Sequence, residues 1–120
     1  MSESVVILGG KRSAIGKFGG ALAGIAPTEL GSFVTKAALQ SVGVEPDHVD
    51  HSVYGNVLHS EARDVYIARV IALEAGLPTH APALTVNRLC GSGFETISQG
   101  CMSIQLGQSS IAVCGGSENM

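Results

Sequence analysis

Four short apolar runs alternate with three longer segments of helical period, and this alternation limits the fold more than any other feature of the chain. The runs are SVVILGG at 4–10, HSVYGNVLH at 51–59, APALTV at 81–86 and SSIAVCGG at 109–116. Runs that are apolar throughout and bounded by glycine or proline read as strands buried on both faces. The glycine-rich stretch 9–27 after the first run reads as an irregular connection. A first helix is expected from Thr28, its N-cap, with Leu30, Phe33, Val34, Ala37 and Ala38 on the apolar face and Gly43 as the stop. A second spans EARDVYIARVIALEAGLP at 61–78, with Ile67, Val70, Ile71 and Glu74 in register and Gly76 and Pro78 ending it. A third covers 93–107 through Phe94, Ile97, Cys101 and Ile104. The order is βαβαβαβ, which predicts an α/β fold with a mainly parallel sheet covered by helices.

Hydrophobic residues make up 45% of the 120 and charged residues 14%, yet aromatic residues are only 4% and Trp is absent. Burial must therefore come from Val, Ile, Leu and Ala packed among 16 glycines, which requires close backbone approach. The length suits one domain, residues 1–120. A net charge of −3 provides no field for a nucleic-acid backbone, so none is expected as a partner. Met1-Ser2-Glu3-Ser4 lacks the basic start of a secretory signal, and no run approaches the roughly 20 apolar residues of a membrane span. A cytoplasmic setting is expected, with a mitochondrial or other matrix as the alternative. Cys90, Cys101 and Cys114 form no C-x-x-C pair, which argues for reduced thiols and against structural zinc. His48, His51, His59 and His80 are scattered, so no metal site is expected.

Cys90 stands out because of its neighbours, in TVNRLCGSGFETI at 85–97. In open parallel sheets, chemistry gathers at the carboxyl ends of strands, where loops and helix N-termini converge. Ser92 and Glu95 have capping-box spacing, placing the start of the third helix at Ser92 with its N–H groups turned toward the cysteine. A helix N-terminus carries roughly half a positive charge and favours the thiolate form of a thiol placed there. Gly91 and Gly93 leave room for an acyl group and for backbone N–H groups to hold an oxyanion. The reading is a cysteine nucleophile on a sharp turn; the alternative is a small buried hydrophobe. Cys101 and Cys114, on a helix stripe and in a strand, read as core.

Other readings compete. GSGFET opens like a dinucleotide-binding loop, with Glu118 after the next strand as a ribose-binding acid, but Thr96 occupies the third glycine position. GGKRSAIGKF misses phosphate-loop spacing by one residue, and Lys17 precedes Phe18 instead of a hydroxyl residue. The cluster HSEARD, with Glu61, Arg63 and Asp64, reads as a solvated helix start that Asp64 could cap. A non-catalytic assembly unit is a further alternative, since an unfinished sheet exposes strand edges.

NRLCGSG after APALTV, GGKRSAIGKFGG after the first run, GNVL in the second and GGSENM after the fourth together resemble the amino-terminal domain of a thiolase, an acetyl-CoA C-acyltransferase. The resemblance spans the whole chain and is nearest to the β-ketothiolases. It implies ping-pong acyl transfer, with Cys90 taking an acyl group from a 3-ketoacyl-CoA or acetyl-CoA and its backbone N–H forming part of an oxyanion hole. Free CoA then removes the acyl group, or the enolate of a second acetyl-CoA attacks it in a Claisen condensation. It further implies coenzyme A thioesters as substrates, no permanently bound cofactor, and a homodimer or homotetramer. In that family a histidine, a second cysteine and a water-positioning asparagine come from a downstream half. None of those positions matches a residue within 1–120, so the chain is expected to be a partial unit with little or no turnover alone.

Overall fold

A computed structural model describes residues 4–120, which build an α/β unit around three parallel strands. The strands are β1 (His51–Gly55), β2 (Ala83–Val86) and β3 (Ala112–Gly116), in the spatial order β2-β1-β3. The helices are α1 (Pro27–Ser41), α2 (Ile67–Glu74) and α3 (Ser92–Gln105), with short 3-10 turns at Pro46–His48 and Ala62–Tyr66. Val53 of β1 stands between Leu84 of β2 and Cys114 of β3, and this register sets the two faces of the sheet. On one face Ser52 donates to the Ala68 carbonyl of α2 at 3.3 Å, and Tyr54 hydrogen-bonds Thr35 of α1. On the other, Gly55 lies under Ser92 and Cys114 lies against Gly100, both of α3. The result is three layers, with α1 and α2 on one side and α3 on the other.

Burial is densest between α2 and β1. Ile67, Ala68 and Ile71 are fully buried around Tyr54, and Val113 joins this cluster to a second one of Leu39, Val49, Ala72, Ala75 and Leu77. All three helices end alike. In α1, Gly43 takes φ 66°, its N–H reaches the Gln40 carbonyl, and the Val44 N–H reaches Leu39. Gly76 and Gly107 close α2 and α3 in the same pattern, which satisfies carbonyls a helix end would otherwise leave open.

The parallel α/β architecture agrees with the expectation, and four local features differ. Residues 4–10 form no strand: Val6, Ile7 and Leu8 are exposed and pair with no edge. This run and β3 both line a cavity of about 1350 Å³, to which Val6, Leu8, Val34, Ile104 and Ile111 contribute. An apolar run becomes a strand only by pairing with a sheet edge, and this run pairs with none, the outer edge of β3 included.

The second difference concerns helix faces. On α1 the buried residues are Thr28, Gly31, Ser32, Thr35 and Leu39, while Phe33 is exposed. On α3 they are Ser92, Thr96, Gly100 and Ser103, while Phe94 is exposed. Small residues occupy these faces because the neighbouring elements come too close for larger ones: a Cβ at Gly31 would collide with Ile71 of α2, and one at Gly100 with Cys114 of β3. Their hydroxyls are satisfied locally, as where Thr35 donates to the Gly31 carbonyl at 2.7 Å and Thr96 to Gly93 at 2.7 Å.

Third, Ala26 and not Thr28 is the N-cap of α1. Thr28 is buried and accepts from Arg63 at 3.3 Å, so its hydroxyl is turned toward another element. Fourth, the start of the 61–78 segment is a 3-10 turn, and Asp64 is fully buried there and not solvated. Asp64 Oδ2 accepts from the Ser60 N–H at 2.7 Å, the Ser60 hydroxyl at 3.0 Å and the Glu61 N–H at 3.0 Å, so it caps this turn as expected, in a capping box with Glu61.

Candidate active site

The carboxyl ends of the three strands are tied to one another by side chains and backbone. Asn56, directly after β1, is fully buried; its N–H donates to the Val86 carbonyl of β2 at 3.2 Å and its Nδ2 to the Ser117 carbonyl after β3 at 2.8 Å. Glu118 accepts hydrogen bonds from the N–H groups of Val57 and Leu58, the second at 3.3 Å. Asn119 Nδ2 binds the Leu22 carbonyl at 3.0 Å and the Ile25 carbonyl at 2.5 Å. Loop 19–26 is thereby drawn to the same end.

Cys90 stands in this region, exposed, on the turn between β2 and α3. The residue before it, Leu89, has φ 51°, the one positive φ of a non-glycine among the described residues. The turn closes through the Gly91 N–H to the Arg88 carbonyl and the Ser92 N–H to the Leu89 carbonyl, each at 3.1 Å. Gly91 is the N-cap of α3. A Cβ at Gly93 would meet no atom within 4 Å, so the approach to the turn from that side is open.

The expected capping box does not form. Ser92 Oγ is directed back into the turn, accepting from the Arg88 N–H at 2.8 Å and donating to the Leu89 carbonyl at 2.7 Å. Glu95 instead pairs with Arg88 Nη1 at 3.1 Å and accepts from Gln99 at 2.8 Å. The helix starts where the sequence places it, but the serine serves the turn before it and not the helix end.

Cys101 and Cys114 are both half-buried. Cys114 lies against Gly100, and burial pushes its thiol up to about 11. Glu118 is engaged by two backbone N–H groups, and Thr96 fills the third glycine position of a dinucleotide loop as a buried residue. Among the described residues no group of three or more His, Cys, Asp or Glu side chains converges as a metal site, and no helix is long and apolar enough to cross a membrane.

Residues 5–120 match the family described as thiolase, N-terminal domain. The chain belongs to the thiolase family. It is 48% identical to the β-ketothiolase BktB of Cupriavidus necator over 120 residues, covering all of this chain and 30% of that protein. The human mitochondrial 3-ketoacyl-CoA thiolase in complex with CoA is 42% identical, with TM-score 0.87 over 89% of this chain and 27% of its own. The Bacillus anthracis acetyl-CoA acetyltransferase gives 40% identity and TM-score 0.89 over 96% and 29%. The chain thus spans about 30% of the length of the curated thiolases it matches.

Several polar residues at this end of the thiolase sheet escape a reading by motif. Asn87, the residue directly after β2, accepts from the Leu89 N–H at 3.1 Å through its Oδ1. An Asn two residues before a turn is a recognisable Asx-turn signal and could have marked it. Asn56 and Asn119 carry no local signal, because their partners lie 61 to 97 residues away.

Proposed function

We propose that the protein carrying this chain is an acyl-CoA acyltransferase in which Cys90 is the nucleophile. The observation that supports this is the placement of an exposed thiol on a tight turn between the carboxyl end of β2 and the N-terminus of α3. The sulfur attacks the 3-keto carbonyl of a 3-ketoacyl-CoA; the bond between C2 and C3 breaks, acetyl-CoA leaves as its enolate and takes up a proton, and the acyl group remains as a Cys90 thioester. Free CoA then takes the acyl group. In the reverse direction Cys90 is acetylated by acetyl-CoA with release of CoA, and the enolate of a second acetyl-CoA attacks the acetyl carbonyl. The Cys90 N–H contributes to holding the oxyanion of the tetrahedral intermediate, a role the helix start favours electrostatically.

The proposal extends to the substrates, coenzyme A thioesters, in line with the CoA complex of the human relative. It also extends to a homodimer or homotetramer, for which the open outer edge of β2 and the exposed Leu84 offer a surface.

In the full-length protein, Cys90→Ser is expected to abolish covalent labelling by radioactive acetyl-CoA and to lower turnover by at least about a thousandfold. Label retained on the serine variant at the wild-type rate would remove Cys90 from the mechanism.

A further inference from the structure

We infer that Asn87 and Ser92 are positioning residues that clasp Leu89 from both sides and so fix where the Cys90 thiol stands. The inference rests on the reading of Cys90 as the nucleophile.

Leu89 in the left-handed region carries a steric cost that its surroundings must offset. Its side chain is 68% exposed, so packing does not hold it there. The backbone does. Its N–H donates to Asn87 Oδ1 at 3.1 Å, and its carbonyl accepts from Ser92 Oγ at 2.7 Å and from the Ser92 N–H at 3.1 Å. Ser92 Oγ also accepts from the Arg88 N–H at 2.8 Å, closing the loop between the two clasp residues.

Both clasp residues are anchored elsewhere. Ser92 is 5% exposed and sits directly over Gly55 of β1. Asn87 Nδ2 reaches the Val57 carbonyl at 3.4 Å, and the Val57 N–H is held in turn by Glu118 after β3. The conformation of Leu89 is therefore referenced to the ends of all three strands. Release of the clasp lets Leu89 relax toward negative φ, and a rotation there sweeps the next residue, Cys90, away from the start of α3. Such a displacement harms the covalent step more than substrate binding, because nucleophile placement matters most in the transition state.

The test compares Asn87→Ala, Ser92→Ala and the double variant Asn87→Ala/Leu89→Asn in the full-length protein. Asn enters the left-handed region more readily than Leu, so the second substitution supplies the conformation without the clasp. Single-turnover acylation by labelled acetyl-CoA, kcat, KM and melting temperature are measured together, with Cys90→Ser as control. Each single variant is expected to acylate and turn over about 10- to 100-fold more slowly with KM within about threefold, and Leu89→Asn is expected to restore about tenfold to Asn87→Ala. A wild-type acylation rate in Asn87→Ala, or a loss that Leu89→Asn leaves unchanged, overturns the clasp while Cys90→Ser remains unlabelled. Labelling of Cys90→Ser overturns the nucleophile reading and the clasp with it. If Asn87→Ala fails to fold, Asn87→Ser keeps an acceptor for the Leu89 N–H, and the same comparison is made against an Asn87→Val variant of similar bulk without one; equal acylation by the two overturns the clasp.

Discussion

A methyl group at position 55 would lie 2.9 Å from Ser92 Cβ and 3.3 Å from the Ser92 carbonyl carbon. The second of these is backbone and cannot turn aside. Gly55→Ala must therefore lift the first turn of α3 off β1, at a cost of about 1–3 kcal/mol in stability. The same shift carries Cys90, two residues before Ser92, out of place. The expected outcome is a lower urea midpoint together with slower acylation by labelled acetyl-CoA, and a variant that lost stability but acylated at full rate would separate the α3 contact from the chemistry. At this scale the sequence was informative where structure is local: an apolar run followed by a Gly-Ser-Gly step marked the turn between β2 and α3, on which Cys90 stands exposed. It was silent on Leu89, because leucine is a residue that propensity never assigns to the left-handed region, and Asn87 derives its role from that conformation.

From residue 27 onward the helices and strands were legible in order and kind, and the helices were misread in orientation. The apolar stripes of α1 and α3 were taken as their buried faces, whereas the buried residues are small ones: Gly31, Ser32 and Thr35 on α1, with Gly31 against Ile71 of α2 and Thr35 against Tyr54 of β1, and Thr96, Gly100 and Ser103 on α3. Hydrophobic periodicity reports which side is apolar, not which neighbour comes closest. Leu30, Val34, Ile97 and Ile104 line the cavity beside β3, so their stripes are spent there. Close approach, in contrast, is decided by volume. A Cβ at Gly100 would stand 2.5 Å from Cys114 Sγ and 3.4 Å from Ala112 Cβ. Gly100→Ala is expected to destabilise by about 1–3 kcal/mol, and Cys114→Ala in the same chain to recover most of that loss by removing the sulfur. Additive costs in the double variant, read from urea midpoints, would mean that α3 is held off the sheet by something other than this contact.

For the molecule as a whole, the alternation of runs and helices gave the parallel α/β class, while the first run, 4–10, shows why pairing cannot be read locally: a strand exists only with a partner edge, and that edge is non-local. The layers also bury two acids whose titration reports on the integrity of the sandwich. Burial pushes the Tyr54 hydroxyl from 10.0 to about 12, partly countered by its hydrogen bond with Thr35. Burial likewise pushes the Cys114 thiol from 9.0 to about 11, partly countered by the Gly100 backbone. In both cases the neutral form is the one the fold accommodates. The unfolded chain releases these protons first as pH rises, so between the unfolded and folded values the native state binds more protons and stability falls with pH. Their contribution is complete below pH 9 and declines from there, with Cys114 acting between 9.0 and about 11 and Tyr54 between 10.0 and about 12. The share of Cys114 is the smaller, since its strand lies at the open edge and its side chain is only half-buried. Urea midpoints taken at steps from about pH 8 to 11 are expected to decline less steeply in Cys114→Ala between pH 9 and 10, and less steeply in Tyr54→Phe above pH 10. Slopes identical to wild type in both variants would mean that neither acid is sealed between the layers, and that the contacts of Tyr54 with α1 and of Cys114 with α3 open readily in solution.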